Sequence, residues 1–371
     1  MTRGPSSPES LRPELDARGL EGVAPDGGAI SLAPELSALS EMLLAPALPH
    51  LTAGAPVTIV THMALQLMPF GAMPLADGKT ALIDAHPLAT APSLTVLRQL
   101  LARAPSPNAE CLVVGGSTPA ATHNLHKLPG SLAEAAAVGA YLKAEPLGGA
   151  KASAEEVGLK LARKELRCVH IACHSAVRTL ALSPVVSDEA KAQYKAVADA
   201  QRMAEEAAAK EGEDSEVAKA AAEKAEELYA AAESIIREVK RVEEQLPGAM
   251  GEGLLNTDML AQLPLRGHPT VFLTGSHAGA GSVSIDALDS LPRSLLMCGA
   301  RSVISSVWDV DDGAAAHLAR AFYELLAEEP DISQAEALRG AITSTRVAED
   351  GKWDHPAYWA GFSVIGAARG L

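Results

Sequence analysis

The stretch VFLTGSHAGAG at residues 271–281 runs an apolar segment directly into a corner of small residues. Ser276 and His277 lie at this corner, with glycines on both sides of them. Such a corner can expose a nucleophile, cradle a phosphate or simply form a tight turn. The spacing does not match the G-x-G-x-x-G or Lys-Ser/Thr patterns of phosphate loops. Thr274 stands where the G-x-S-x-G elbow has its first glycine, so that motif is absent as well.

Short Val- and Ile-rich segments recur on both sides of this corner and alternate with helical patterns. Strands are predicted at 57–60, 81–83, 111–115, 167–173, 270–274, 302–307 and 362–365. Helices are predicted at 31–44, 131–142, 154–164, 292–297 and 313–326. In the second helix, Ser131 followed by Glu134 has the capping-box spacing. This alternation predicts an α/β fold whose mostly parallel central sheet carries helices on both faces.

Residues 188–246 interrupt the alternation with a segment rich in Ala, Glu and Lys. Its apolar residues are spaced four and three apart, which is a heptad seam. The seam consists of Leu228, Ala232, Ile235, Val239, Val242 and Leu246. With a turn at 211–215, the segment predicts an antiparallel helical hairpin inserted into the α/β domain. It carries 16 acidic against nine basic residues, a net charge of −7. Such a hairpin is either a solvated insertion, or an arm that docks a regulatory protein, or a lid beside the active site.

Composition excludes several classes of function. The net charge of −15 over 371 residues argues against nucleic-acid binding, which needs clustered Lys and Arg. No uncharged apolar run is long enough to span a membrane, and the first residues have no secretory h-region. Four cysteines without a CxxC pair fit a reducing compartment, so the prediction is cytoplasmic. Residues 1–30 predict a loosely ordered arm before a domain at 31–371.

Polar residues follow three of the predicted strands at their carboxyl ends. His174 follows the strand at 167–173, whereas His170 lies inside that strand and is predicted to be structural. Ser276 follows the strand at 270–274, and WDVDD at 308–312 follows the strand at 302–307. The carboxyl ends of parallel strands share one rim of the sheet. A histidine and a hydroxyl on one rim suggest a general base and a nucleophile.

Eight segments occur in an order that resembles the CHAT domain family of caspase-like peptidases, which are related to separases, gingipains and clostripain. They are PFGAM 69–73, APSL 91–94, LVVGG 112–116, LPGSLAEAAAV 128–138, VHIACHS 169–175, VFLTGSHAG 271–279, CGARSVISSVWDVDD 298–312 and HPAYWAGFSVIG 355–366. The resemblance implies a caspase-like three-layer sandwich that acts on protein or peptide substrates and needs no cofactor.

The resemblance also implies roles for individual residues. The catalytic base falls on His174, and the nucleophilic cysteine of the family falls on Ser276. Backbone N–H groups at Gly275 and Ser175 would form the oxyanion site, with Ser175 standing where the family has glycine. Asp312, and after it Asp309, would accept a basic side chain at the residue before the scissile bond.

Alternative roles for these residues remain open. Asp311 or Asp312 can instead cap the helix that follows. A zinc site would need several converging ligands, and strand alternation turns Cys173 away from His170 and His174, so no metal is predicted.

Serine at position 276 changes the expected chemistry. A thiol has a reference pKa near ~8.5 and forms a thiolate beside an imidazole, whereas a hydroxyl is far less acidic. A serine therefore needs an oriented base and a good oxyanion hole. Three interpretations remain open. Ser276 can be a substitution that inactivates a cysteine peptidase, a natural residue of a pseudoprotease that binds without cutting, or the nucleophile of a serine hydrolase.

Overall fold

The computed structural model describes residues 33–106, 108–126, 128–212, 214–246, 248–283 and 288–370. The arm predicted at 1–30 lies outside these residues. The strands are β1 Val57–Val60, β2 Leu88–Ala91, β3 Glu110–Gly115, β4 Leu166–Ala172, β5 His174–Ala176, β6 Thr179–Ala181, β7 Leu254–Asn256, β8 Thr270–Leu273, β9 Gly281–Val283, β10 Leu288–Ser290, β11 Ser302–Ser306 and β12 Phe362–Gly366. The helices are α1 Ala33–Leu43, α2 Leu82–Ala85, α3 Leu94–Leu101, α4 Pro129–Leu142, α5 Ala154–Arg163, α6 Asp188–Glu211, α7 Glu216–Gln245, α8 Gly248–Gly251, α9 Thr257–Leu260, α10 Leu291–Cys298, α11 Asp312–Glu328 and α12 Gln334–Val347.

Seven strands form the central sheet, in the order β1-β2-β12-β11-β8-β4-β3. Neighbouring strands are parallel except for the β11–β12 pair. Successive residues point to opposite faces, so each strand contributes to two apolar cores. Val113, Phe272 and Ile304 belong to the core under α4, α11 and α12. Val114, Val271 and Val303 belong to the core under α5 and α10. The predicted α/β sandwich with a mostly parallel sheet is confirmed.

Two local predictions are wrong. Residues 81–83 do not form a strand, because helix α2 begins at Leu82 and the strand follows at β2. The Asp84 carboxylate accepts the N–H of Ala81 at 3.0 Å, which stabilises the first helical turn. Three apolar residues alone do not separate a buried strand from a buried turn of helix.

The predicted capping box at the start of α4 is also absent. The helix begins at Pro129, a residue suited to a first helical position, and Ser131 already lies inside the helix. The Ser131 hydroxyl donates to Leu128 O at 2.7 Å and accepts from Gly116 N at 3.0 Å. Glu134 is turned inward and is buried. Its partner is a histidine of the sheet, described below.

A second, three-stranded antiparallel sheet of β5, β6 and β7 continues from the end of β4. Its strands have three residues each, too few for an alternating pattern to be read from the sequence. Helices α6 and α7 leave the domain between β6 and β7. The Arg241 guanidinium on α7 donates to both carboxylate oxygens of Glu155 on α5, each at 2.8 Å. This bidentate pair fastens the helices to the domain.

Helices α6 and α7 pack against each other along a narrow apolar contact. Val197, Ala232 and Ile236 are buried there, with Leu228 partly buried beside them. Ile235, which the heptad spacing assigned to the seam, is only half-buried. Within the described residues, no helix combines the length and the apolar character needed to cross a membrane.

Candidate functional site at the carboxyl ends of β4, β8 and β11

Three adjacent parallel strands end at the same rim of the central sheet. β8 lies between β4 and β11, and the registers keep the three strands level. His174 follows the last residue of β4 after one intervening residue. Ser276 and Asp309 each come three residues after the ends of β8 and β11. The sheet therefore brings the predicted site residues to one rim, because residues that follow the carboxyl ends of parallel strands meet there.

The imidazole of His174 is oriented by a main-chain carbonyl. Its Nε2 lies 2.6 Å from the carbonyl oxygen of His126, and the two histidine rings meet edge to face with centroids 4.8 Å apart. A carbonyl oxygen can only accept a hydrogen bond, so Nε2 carries a proton. In the neutral ring this leaves Nδ1 as the basic nitrogen.

Burial lowers the pKa of His174, and the ring of His126 acts in the same direction. The His126 carbonyl and the carboxylates of Asp312 and Asp309 oppose this decrease. Burial is the largest of these effects. A histidine with a lowered pKa is neutral over a wider range of pH, which suits a general base.

The corner at 274–279 is close-packed against the strand that carries His174. A Cβ atom at Gly275 would lie 2.4 Å from the Cys173 carbonyl oxygen and 2.4 Å from Ser175 Oγ, so only glycine fits there. The Ser175 hydroxyl donates to the carbonyl oxygen of Ser276 at 2.6 Å. His277 has a φ of +57°, in the left-handed region that non-glycine residues seldom occupy. These contacts fix the direction in which the Ser276 side chain leaves the backbone.

The hydroxyl of Ser276 has partners on the loop that follows β11. It accepts weakly from the N–H of Val310, at 3.4 Å, and it contributes to lowering the pKa of the neighbouring Asp309 carboxylate. The imidazole of His277, whose Nε2 lies 3.6 Å from Asp309 Oδ2, is the largest cause that lowers the pKa of Asp309. Asp309 is therefore a carboxylate with a lowered pKa close to Ser276.

The structure separates the two carboxylates at the start of α11. Asp311 Oδ1 accepts the N–H of Ala314 at 2.9 Å and caps the helix. Asp312 lies in the first turn, and its charge interacts with His174 and His126. Burial raises the pKa of Asp312, while the two histidines oppose this increase. The capping role predicted for either residue belongs to Asp311, and Asp312 remains free to face the rim.

His170 lies deeper in β4 and belongs to the core. It is fully buried, and its Nε2 lies 3.0 Å from Glu134 Oε1. Its Nδ1 lies 3.4 Å from the hydroxyl of Tyr323, whose oxygen is 3.6 Å from Cys168 Sγ. A fully buried histidine with fixed partners on α4 and α11 is structural. All four cysteines are free thiols.

The chain matches the CHAT domain family over residues 33–367. It belongs to that family. Among curated proteins, it is similar to tetratricopeptide repeat protein 28 of Mus musculus, with 32% identity over 99 residues. The human protein of that name is 33% identical over 107 residues. These matches span 26% and 29% of this chain but only 4% of each relative's length.

Solved structures with a similar fold include the Arg-specific cysteine proteinase gingipain R, at 10% identity and a TM-score of 0.46. That match covers 98% of this chain and 75% of gingipain R. The Saccharomyces cerevisiae separase–securin complex matches at 12% identity and a TM-score of 0.46, over 84% of this chain and 15% of the other.

Two residues at or beneath the site were not predicted from the sequence. His126 lies in a loop and contributes its main-chain oxygen, which any residue possesses, so its identity carries no signal. Glu134 was assigned to the capping box, and its burial next to His170 could not be read from its spacing. The sequence offered one indication of this pairing: Glu134 is a carboxylate on a helix otherwise rich in Ala, and a buried carboxylate needs a polar partner.

Proposed function

We propose that this CHAT domain binds peptide segments of other proteins at the rim formed by β4, β8 and β11, and that peptide hydrolysis there is blocked at the oxygen of Ser276. Family membership supports a peptidase-fold domain. The observation that carries the proposal is the unequal state of the two reacting groups. His174 has an orienting acceptor in His126 O, whereas the Ser276 oxygen accepts from Val310 N at 3.4 Å, on the loop that carries Asp309.

The proposed chemistry follows from this arrangement. Attack on a peptide carbonyl requires the nucleophile to pass its proton to His174 as a bond forms to the carbonyl carbon. A thiol does this readily, because its pKa lies within a few units of that of imidazole. The Ser276 hydroxyl is far less acidic than a thiol, so it gives up its proton to imidazole far less readily. Backbone N–H groups at Gly275 and Ser175 are proposed to hold the carbonyl oxygen.

The charge at the rim favours peptides with a basic side chain. Asp309 and Asp312 both act electrostatically on His174, so two negative charges lie near the candidate base. An Arg or Lys side chain could pair with them by charge-assisted hydrogen bonds. Asp312 is the stronger candidate, because the His277 imidazole already lies near Asp309, with 3.6 Å between Nε2 and Oδ2.

A second proposed function uses the helical hairpin of α6 and α7 as a docking arm for a regulatory protein. The hairpin carries about half of the net charge of the chain. Met203, Val217 and Tyr229 expose 64%, 55% and 41% of their surface on its two helices. Exposed large apolar side chains on an acidic surface suit a partner with basic and apolar groups.

The test compares peptide cleavage by the unmodified chain, its Ser276→Cys variant and the Ser276→Cys/His174→Ala double variant. The peptides carry Arg, Lys, Asp or Leu before the scissile bond. We expect only Ser276→Cys to cleave, with preference for Arg or Lys, and a loss of about 10²–10⁴-fold when His174 is removed. Cleavage by the unmodified chain would instead identify a serine hydrolase. If no variant cleaves, the catalytic part of the proposal is wrong.

Binding of uncleaved peptide is measured separately, by fluorescence anisotropy of labelled Arg and Leu peptides on the unmodified chain. We expect the Arg peptide to bind more tightly and Asp312→Ala to reduce this preference. Equal affinities for both peptides would contradict the proposed acidic pocket.

A further inference from the structure

The carbonyl that orients His174 belongs to a segment that the helical hairpin holds in place. Residues 116–128 connect β3 to α4, and a short 3₁₀ turn at Ala121–His123 lies within this connection. His126 follows the turn by three residues and contributes the carbonyl oxygen 2.6 Å from His174 Nε2. Whatever fixes the turn therefore acts on the orientation of the histidine.

Both ends of the hairpin insertion contact this turn. Asp188 is the first residue of α6, and its Oδ2 accepts the N–H of Ala121 at 2.8 Å. Glu252 follows α8 directly, and its main-chain oxygen accepts from His123 Nε2 at 3.0 Å. The His123 side chain belongs to the turn and is buried against this contact.

The two chain ends are also tied to each other. Lys191, one turn into α6, forms an ion pair with Glu252 at 2.8 Å. The carboxylate of Glu252 further contacts the hydroxyl of Thr122 at 3.5 Å. The entry and exit of the insertion and the 121–123 turn thus form one hydrogen-bonded unit at the base of the hairpin.

We propose that Asp188 and His123 are positioning residues of the site, which act through the 121–126 segment to hold the His126 carbonyl against His174. The proposal rests on the proposed function, because the orientation of His174 matters for catalysis only where it serves as the base. It gives the hairpin a route to the rim: a protein that shifts the start of α6 would change which nitrogen of His174 carries the proton.

The first experiment reads the His174 ring directly and needs no activity. The carbon-13 shift of histidine Cδ2 distinguishes the Nδ1–H from the Nε2–H form, and the His174 signal is assigned by its loss in His174→Gln. We expect the Nε2–H form in the unmodified chain. Asp188→Ala removes the acceptor for Ala121 N and should give a mixture of both forms, as should His123→Ala.

Two variants serve as controls for Asp188→Ala. Asp188→Asn keeps an oxygen acceptor at the same place and should restore the Nε2–H form. Asp199→Ala removes an exposed carboxylate farther along α6, whose ion pair is with Arg202 at 3.0 Å, and should leave the ring unchanged. If Asp188→Ala leaves His174 in the Nε2–H form, the positioning role is overturned. A mixture in Asp199→Ala would overturn it as well, because the effect would not be specific to the base of the hairpin.

The second experiment measures peptide cleavage in the Ser276→Cys background. Misplacing a catalytic group lowers the rate by up to about 10²-fold, so we expect Asp188→Ala to slow cleavage about 10-fold to 100-fold. Asp199→Ala should stay within about twofold, and Asp188→Asn should recover most of the rate. An inactive Ser276→Cys variant together with the expected ring forms would refute the proposed function while supporting the positioning role. An active Ser276→Cys variant that Asp188→Ala does not slow would support the proposed function and refute the positioning role.

Discussion

Two histidines four residues apart, His170 within β4 and His174 just beyond its end, occupy very different surroundings. His170 is fully buried and has side-chain partners on α4 and α11, namely Glu134 and Tyr323. His174 is half-buried at the rim, and the contact that orients it is a main-chain oxygen. Depth in the sheet, rather than residue type, separates the structural histidine from the candidate base. We therefore expect the contacts of His170 to affect mainly the free energy of unfolding, and those of His174 to affect mainly peptide cleavage and the pH dependence of stability.

The largest expected effect is on stability and follows from the buried histidine. Glu134→Ala leaves His170 Nε2 without the carboxylate 3.0 Å away and opens a cavity beneath α4. Breaking a buried pair by removing one partner costs about 3–5 kcal/mol. We expect the free energy of unfolding, measured by urea denaturation, to fall by that amount.

Matched variants test whether burial is the cause of this loss. Glu233→Ala removes an exposed glutamate from α7, where it pairs with Arg237, and should change the unfolding free energy by less than about 0.5 kcal/mol. His174→Ala at the rim should be similarly mild. A loss at His174 as large as the loss at Glu134 would remove the distinction between the two histidines.

The rim could be predicted from the sequence because it depends on where strands end. Period-two alternation placed His170 inside a strand and His174 at its end, and the structure agrees. Ser276 and Asp309 followed from the apolar runs before them in the same way. Because adjacent parallel strands have their carboxyl ends at the same edge of the sheet, the residues that follow them lie close together.

The partners of these residues could not be predicted, because they depend on contacts between distant segments. His126 contributes a backbone atom, and nothing in its side chain marks it. Glu134 matched a local capping pattern, but the buried His170 competes for the same carboxylate and the tertiary contact prevails. The sheet of β5, β6 and β7 has strands too short to show a period. The spacing of residues along the chain predicts helices and strands, whereas these contacts form only when distant segments are brought together by the folded sheet.

A smaller effect is expected from the adjacent carboxylates Asp311 and Asp312, which repeat the contrast between a structural and a rim group. Asp311 caps α11 through Ala314 N, and loss of an N-cap costs about 1 kcal/mol. Asp311→Ala should therefore lower the unfolding free energy without changing the affinity for an Arg peptide. Asp312→Ala should weaken that affinity about tenfold, as expected for one charge-assisted hydrogen bond, and leave stability nearly unchanged. Urea denaturation and fluorescence anisotropy are measured on both variants. A loss of stability in Asp312→Ala together with a loss of affinity in Asp311→Ala would mean that the two roles are exchanged.

The smallest expected effect is a pH dependence of stability that belongs to His174. Burial lowers its pKa in the folded chain below the ordinary value near 6.5. Between these two values the unfolded chain binds more protons than the folded chain. The contribution of His174 to stability is therefore complete above about pH 6.5 and declines as the pH falls toward the folded-state pKa. The difference in unfolding free energy between the unmodified chain and His174→Ala should decline over the same interval.

The neighbours of His174 determine how this pH experiment is controlled. Asp309, Asp312 and His126 all act on the ring, and the two carboxylates oppose the decrease in its pKa. Asp312→Asn removes one of these charges, so it should lower the pKa of His174 further; the decline should still begin near pH 6.5 but extend to lower pH and become larger. Urea denaturation between pH 5 and pH 8 on the three chains would reveal the shift. A decline that is unchanged or smaller in Asp312→Asn would mean that this carboxylate does not act on His174, and the acidic pocket proposed for a basic side chain would lose its central residue.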